Sequence, residues 1–294
     1  IMARAARAGR VARRLLAAIG PDVVVGMGGY VGLPVCVAAR TRRIPVVIHE
    51  QNIVLGLANK LCKRFARRVA VSWEDTLASA GRRGVVVGNP VPAEIRDFDR
   101  DVERDRGLKR FELDPERKTL LVFGGSQGAG RLNEAARGVR RLWTDRSDRQ
   151  VLHITGPGRL TEVLEAPPRD SALIYRGVEF VDRMVEAYAV ADLGLCRGGA
   201  TTVAELTAVG LPSMIVPYPF HRDRQQERHG RVLERAGAAV LVPDESATAE
   251  HVAATADALL SNEDRLGQMT RSALSLGRPD AASRLAAVVR EAAA

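Results

Sequence analysis

The sequence is short of aromatic residues, of lysine and of cysteine. Aromatics are 4% of its 294 residues, although 46% are hydrophobic, so the apolar content rests on Ala, Val and Leu. That mixture suits tightly packed α/β layers rather than a β sandwich. Cys36, Cys62 and Cys196 are scattered without Cys-x-x-Cys spacing, which excludes a disulfide framework or a cysteine zinc site and fits a reducing compartment. No apolar run approaches the length of a membrane span, and no secretory leader is visible. Self-similarity at solenoid periods is also missing.

Basic charge is abundant by contrast. There are 44 Lys and Arg against 35 Asp and Glu, a formal charge of +9. Lys60, Lys63, Lys109 and Lys118 are the only lysines, so nearly all of this charge is arginine. Such an excess admits an anionic partner, whether nucleic acid, anionic lipid or a diphosphate; a coding bias toward arginine is the competing explanation.

The length allows two domains, each with its own core. Strand and helix patterns alternate from the start. Strands are expected at 22–25, 44–48, 69–72 and 85–87, with helices at 34–41 and 55–68. Residues 93–117, rich in Arg, Asp and Glu, interrupt the rhythm and read as a connection or peripheral helix. It restarts with strands at 119–123, 150–154, 173–175, 193–196, 213–216 and 239–242. Helices are expected at 131–142, 182–190, 202–209, 225–236 and 248–260, with a last one from about 280. This βαβα order predicts parallel sheets in two Rossmann-like halves. The expected domains are 1–95, joined by the helix 280–294, and 96–279. The opening residues already read as helix, so the first domain is expected to be truncated at its N-terminus.

Glycine turns at strand ends carry the candidate chemistry. In Leu121-Val-Phe-Gly-Gly-Ser-Gln-Gly-Ala-Gly130 a buried strand ends in glycines and a helix follows at once. Unpaired N–H groups and the dipole at such a helix start suit a phosphate without a metal. Neither the dinucleotide G-x-G-x-x-G spacing nor the P-loop lysine is present, which argues against NAD and ATP. In Cys196-Arg-Gly-Gly-Ala-Thr-Thr-Val-Ala-Glu205 a second glycine loop opens a helix, with Thr201 the expected N-cap. The spacing leaves Glu205 two uses, offsetting the helix dipole or accepting both hydroxyls of a ribose. Gly26-Met-Gly-Gly-Tyr30 and Ile48-His-Glu-Gln-Asn52 follow first-half strands and should face the ligand crevice; His49, Glu50 and Asn52 could supply a base or cap the next helix. His221-Arg-Asp-Arg-Gln-Gln226 is a polar loop at the equivalent edge of the second half.

Asp97-Phe-Asp99 has the Asp-x-Asp form of metal-dependent transferases but sits among arginines rather than at a buried strand end, so no metal site is expected. Two basic helical faces remain. One is Arg4, Arg7, Arg10 and Arg14; the other is Lys60, Lys63, Arg64, Arg67 and Arg68 beside Leu57, Leu61 and Phe65. Such faces suit anionic headgroups or plain solvent. No aromatic platform for bases accompanies them, so no nucleic-acid partner is expected.

Taken in order, Gly26-Met-Gly-Gly-Tyr-Val31, His49-Glu-Gln-Asn52 with Gly56-Leu-Ala-Asn-Lys60, Gly88-Asn-Pro-Val91, Gly124-Gly-Ser-Gln-Gly-Ala129, Arg197-Gly-Gly-Ala-x-Thr-Val-x-Glu205 and Asp223-Arg-Gln-Gln226 resemble the family of peptidoglycan N-acetylglucosaminyltransferases that convert lipid I to lipid II. The resemblance runs from about Pro21 to the C-terminus. It implies an α/β GT-B fold of two Rossmann-like domains facing a cleft, no cofactor, UDP-GlcNAc as donor, a lipid-linked acceptor, and a peripheral place on the cytoplasmic face of the membrane. It further implies that Ser126, with Gly125 and Gln127, lies near the donor diphosphate. Val181 reads uracil through its backbone. Glu205 takes the ribose hydroxyls, and Ala200, Thr201, Thr202, Val203 and Ala204 line that loop. Gln226 binds the sugar, Asn52 faces the donor, and Gly28 and Gly29 lie near the acceptor diphosphate. His49 and Glu50 are candidates for the base.

Three departures accompany the resemblance. The family's opening glycine loop with its histidine should precede Ile1. Pro92 stands where the family usually has arginine. His229-Gly230 replaces Asn-Ala, which would bear on acceptor or sugar preference. A GT-B transferase with another lipid or natural-product acceptor, or an inactive UDP-sugar-binding remnant, are the alternatives these departures raise.

Overall fold

A computed structural model describes residues 2–125, 129–163, 171–220 and 223–294. The chain folds into two units, Ile1–Val91 with Arg278–Ala294, and Pro92–Gly277.

The first unit comprises α1 (Met2–Ile19), β1 (Val24–Gly26), α2 (Gly29–Thr41), β2 (Val46–Glu50), α3 (Leu57–Cys62), β3 (Arg68–Val71), α4 (Leu77–Ala80) and β4 (Gly84–Val86). Its four strands pair in sequence order and all in parallel. Val46, Ile48, Val69 and Val71 are buried with Cys36, Ala39, Cys62 and Ala66. Strands buried on both faces read as continuous apolar runs, which is why they were recognisable without alternation.

The second unit begins with the short α5 (Ala93–Arg96) and α6 (Arg100–Phe111). There follow β5 (Lys118–Phe123), α7 (Gly130–Leu142), β6 (Arg149–Ile154), α8 (Leu160–Val163), β7 (Ile174–Val178), α9 (Met184–Val190), β8 (Leu193–Cys196) and α10 (Ala200–Val209). The unit ends with β9 (Ser213–Ile215), α11 (Gln225–Arg235), β10 (Ala239–Leu241), α12 (Ala249–Leu260) and α13 (Glu263–Leu276). Afterwards α14 (Ala281–Ala293) returns to the first unit, where Leu285 packs with Ala70 and Val87.

Six parallel strands of the second unit run in the order β10-β9-β8-β5-β6-β7. Read from the other edge this is the doubly wound 3-2-1-4-5-6 order. The chain reverses direction across the sheet between β5 and β8, and ligands of such sheets bind outside the strand ends at that switch. The core there joins Leu120 and Val122 of β5 to Leu132 and Val139 of α7, Met214 of β9 and Val252 and Met269 of the closing helices.

Several elements differ from the sequence reading for identifiable reasons. The unit boundary precedes Pro92 because Ile95 on α5 is buried and α5 packs against α10. Helix α2 starts at Gly29, not beside Pro34, which lies inside it. Lacking an N–H, Pro34 leaves the Tyr30 carbonyl without its helical donor, which is tolerated near an exposed start where water can replace it. The basic helix expected over 55–68 stops at Cys62, after which Phe65 and Ala66 fold back on bonds to the Cys62 carbonyl. Helix α13 was not anticipated, although Asn262 caps it through the Arg265 N–H and Leu266, Met269 and Ala273 form its buried stripe.

Candidate functional site

The switch between β5 and β8 brings two helix starts together. At the end of β5, Gly125 adopts φ +83, a left-handed conformation that a side chain would strain. Helix α7 then starts with Ala129 as N-cap and no side-chain cap bond, its first helical bond running from Asn133 N–H to the Ala129 carbonyl. At the end of β8, Gly199 is the N-cap of α10, again without a side-chain bond, and the first helical bond runs from Val203 to Gly199. Among the described residues the N–H groups of the two first turns have no capping side chain, which leaves them for another partner. Thr201 is not the cap expected of it. It occupies the first turn of α10, because Gly199 already supplies the extended cap residue.

Two cavities meet here. One, of about 590 Å³, is lined by Pro92, Gly125, Val181, Tyr188, Thr202 and Glu205 among others. The other, of about 470 Å³, is lined in part by Gly124, Gly130, Arg131, Arg159, Arg197 and Gln226. Gly125, Gly199 and Thr202 border both, so the two form one bent trough across the strand ends. Ser126, Gln127 and His221 lie outside the described residues; Gly125, next to Ser126, shares the first cavity with Glu205.

Glu205 reaches the first cavity from α10. Tyr188 on α9, 2% exposed, donates its hydroxyl hydrogen to Glu205 Oε2 at 2.7 Å. Burial pushes the Glu205 carboxyl above the ordinary carboxylate range; the Tyr188 hydrogen bond opposes that shift and the Glu94 charge adds to it. One carboxylate oxygen is thus held by protein, and the group is aimed at the cavity. From the run 200–205, Ala200, Thr201 and Thr202 join Glu205 on the wall, whereas Val203 is fully buried in the core.

Val181 lies between β7 and α9, also on this wall. Neither its N–H nor its carbonyl makes a hydrogen bond among the described residues. A buried backbone pair without partners is a donor and an acceptor available to a planar heterocycle. Pro92, on the same wall, brings no charge.

Gln226 borders the second cavity. Its Oε1 accepts the Tyr218 N–H at 2.9 Å, which fixes the amide so that its NH2 is the remaining donor group. Gly198 is needed close by, since a Cβ there would sit 2.6 Å from the Gln226 carbonyl oxygen. His229 is buried on α11 and its Nδ1–H donates to the Gly198 carbonyl at 2.9 Å. His229 therefore ties α11 to the glycine loop from behind.

In the first unit, Gly28 and Gly29 have φ +85 and +74 at the start of α2. His49 is fully buried and its Nε2–H donates to the Gly88 carbonyl at 2.9 Å; burial lowers its pKa. Glu50 is equally occupied. Its carboxylate accepts the N–H groups of Asn52 and Gly56 and the amides of Asn52 and Asn59, which caps α3 and orients Asn52. Glu50 thus takes the capping use that the sequence left open, whereas His49 caps no helix and its buried Nδ1 has no hydrogen-bond partner among the described residues.

Asp99 caps α6 through the N–H groups of Asp101 and Val102, and Asp97 pairs with Arg96. Among the described residues no cluster of three or more His, Cys, Asp or Glu could hold a metal ion.

A doubly wound sheet with two helix starts at its switch, a carboxylate on the wall of the cavity there and a second parallel-sheet unit defines the GT-B class of nucleotide-sugar enzymes. The chain belongs to glycosyltransferase family 28. Residues 2–71 match the model of its N-terminal domain and 119–285 that of its C-terminal domain. Similar curated proteins include the UDP-N-acetylglucosamine--N-acetylmuramyl-(pentapeptide) pyrophosphoryl-undecaprenol N-acetylglucosamine transferases of Nocardioides sp. and Mycolicibacterium vanbaalenii. Each is 43% identical; the match covers 96% of this chain and 76% of the first relative, and 99% of this chain and 72% of the second. Among solved structures, the crystal structure of Acinetobacter baumannii MurG aligns with TM-score 0.80 and 27% identity, over 99% of this chain and 81% of that one.

Proposed function

We propose that the chain transfers N-acetylglucosamine from UDP-GlcNAc to the muramoyl 4-hydroxyl of a lipid-linked acceptor, the lipid I to lipid II step of peptidoglycan synthesis. The observation that carries this reading is Glu205, oriented by Tyr188 in a cavity that the start of α10 borders and that shares Gly125 and Gly199 with the cavity at the start of α7. In this reading Glu205 accepts both ribose hydroxyls, the Val181 backbone reads uracil, and Gly125, Ser126 and Gln127 border the diphosphate. Ala200, Thr201 and Thr202 wall the pocket, and Gln226 binds the sugar through its amide NH2. Asn52 serves the donor, and Gly28 and Gly29 serve the acceptor diphosphate.

The acceptor oxygen attacks the anomeric carbon opposite the diphosphate. A new C–O bond forms as the bond to the β-phosphate oxygen breaks, its electron pair leaves with UDP, and the configuration inverts. The acceptor proton passes to a base, an assignment that the burial of His49 and the capping role of Glu50 leave open. The charge gained by UDP falls beside the start of α7, where preorganised N–H donors are worth about 3–4 kcal/mol each in comparable sites. Identity with the named relatives over nearly the whole chain supports this donor and acceptor over other GT-B chemistry.

We also propose that the enzyme works at an anionic membrane surface, on its cytoplasmic face. Among the described residues no helix is long and apolar enough to cross a membrane. On α1, Val11, Leu15 and Ile19 are at least half exposed on a helix that also carries Arg7, Arg10 and Arg14, a composition suited to lying on headgroups. On the other basic face Lys60, Arg64 and Arg67 are exposed, whereas Arg68 is paired with Glu291.

A donor screen tests the assignment. Thermal unfolding is measured with UDP-GlcNAc, UDP-glucose, UDP-galactose, GDP-mannose and NAD, since a native-state ligand raises stability with the logarithm of its occupancy. The largest shift is expected for UDP-GlcNAc. A shift with NAD and none with UDP-sugars would overturn the reading.

A further inference from the structure

Three guanidinium groups border the second cavity, from Arg131, Arg159 and Arg197. Two are committed to the protein. Arg131 donates to the carbonyls of Asp244 and Glu245 at 3.1 and 3.0 Å. Arg197 is bonded to the Asp244 carboxylate and to the carbonyls of Val216 and Pro217. The Arg159 side chain has no ion pair or hydrogen bond among the described residues.

Its position is nevertheless set by the backbone. The turn after β6 is tied down by Thr155 N–H to the Val178 carbonyl and Gly156 N–H to the Glu179 carbonyl. Gly158 N–H donates to the Glu179 carboxylate at 3.1 Å, and Arg159 N–H to the Gly156 carbonyl at 3.3 Å. The Glu179 carboxylate is thereby engaged by this turn. The Arg159 guanidinium lies over the first residue of α7, with Nη1 3.6 Å from where a Cβ on Gly130 would stand. A partly buried cation thus stands against the uncapped start of a 13-residue helix, in the lobe beyond the Glu205 cavity.

We propose that Arg159 holds the β-phosphate of the bound nucleoside diphosphate and meets the charge UDP gains as it leaves. The inference rests on the UDP-sugar reading above. A guanidinium at the start of α7 adds a full charge and a planar fork of donors to the partial charge of the helix end. It matters most after the glycosidic bond breaks, when the β-phosphate carries one more negative charge. Arg159 therefore contributes more to kcat and to product binding than to the KM for donor.

The test is calorimetry of UDP and UMP with the wild-type chain, Arg159→Ala and Arg159→Lys, together with steady-state transfer. Arg159→Ala is expected to weaken UDP at least about tenfold and to leave UMP within about twofold, given the strength of charge-assisted bonds. It should lower kcat more than it raises KM, with Arg159→Lys between. UDP affinity unchanged in Arg159→Ala, or equal losses for UDP and UMP, would overturn the inference. Failure of the wild-type chain to bind UDP would instead sink the UDP-sugar reading itself. Unfolding midpoints separate either from misfolding, and should Arg159→Ala misfold, Arg159→Lys carries the same UDP-to-UMP comparison.

Discussion

The Tyr188 hydroxyl lies 2.7 Å from Oε2 of Glu205, joining α9 to α10 beneath the first cavity. Tyr188 is buried and its ring stacks edge-on against Phe123 of β5, centroids 5.9 Å apart. The carboxylate is thus anchored to a rigid ring instead of swinging on a surface helix. Tyr188→Phe keeps the packing and removes only the donor. A hydrogen bond to a charged acceptor is worth about 1.5–3 kcal/mol, and part of that loss should appear as a drop in UDP affinity of about tenfold by calorimetry. Unaltered affinity would mean that Glu205 needs no anchor to bind.

In the proposed reading Glu205 must be ionised to accept two ribose hydroxyls. Its pKa is raised chiefly by burial above the ordinary 4.5. UDP affinity should therefore decline on acidification at a higher pH than an unperturbed carboxylate would dictate. In the unliganded protein the sign is opposite. Between the ordinary and the raised value the folded state binds more protons than the unfolded, so this residue costs stability as pH rises through that window. Glu205→Gln should be at least as stable as wild type above pH 7 while binding UDP more weakly. Unfolding midpoints and titrations across pH 5–8 check both.

His153 of β6 accepts the Tyr175 hydroxyl hydrogen on Nδ1 and donates from Nε2 to Asn133 Oδ1, while the Asn133 amide donates to the Thr155 carbonyl. This network pins the first turn of α7 to the sheet. Burial pulls the His153 pKa down to about 4. The unfolded chain binds the extra proton from about pH 6.5 downward, so stability is lost as pH falls from there toward 4, by about 3 kcal/mol at most. His153→Gln should be less stable at pH 7 but show a flatter profile between pH 6.5 and 4. Parallel profiles in urea melts would show that another group dominates acid unfolding.

Vesicles of anionic lipid should retain the protein at low salt and release it at high salt, because exposed charges are screened within about 10 Å at 0.1 M. Replacing Arg10 and Arg14 with Glu should reduce retention. Salt-insensitive binding in sedimentation would place the anchor on apolar contacts alone.

The two glycine turns at Gly125 and Gly199 were visible from sequence because each ends an apolar strand and opens a helix. Glu205 was visible as an acid at a fixed offset from the second. Tyr188 was not, since an aromatic inside an apolar helix run reads as core until its hydroxyl is placed 17 residues from its partner. His49 and Glu50 looked chemically active, and only packing revealed their bonds to Gly88 and the start of α3. His229 looked like a change at the ligand side, but it faces inward to Gly198.

Local pattern determined the strands, most helices and the loops where the backbone is left unpaired, because these depend on residues within a few positions of one another. The tertiary fold decided which loops share a cavity and which ionisable groups are consumed by capping. Those outcomes depend on strand order. Placing β5 beside β8 brings residues 125 and 199 to one edge, and no spacing along the chain encodes that neighbourhood.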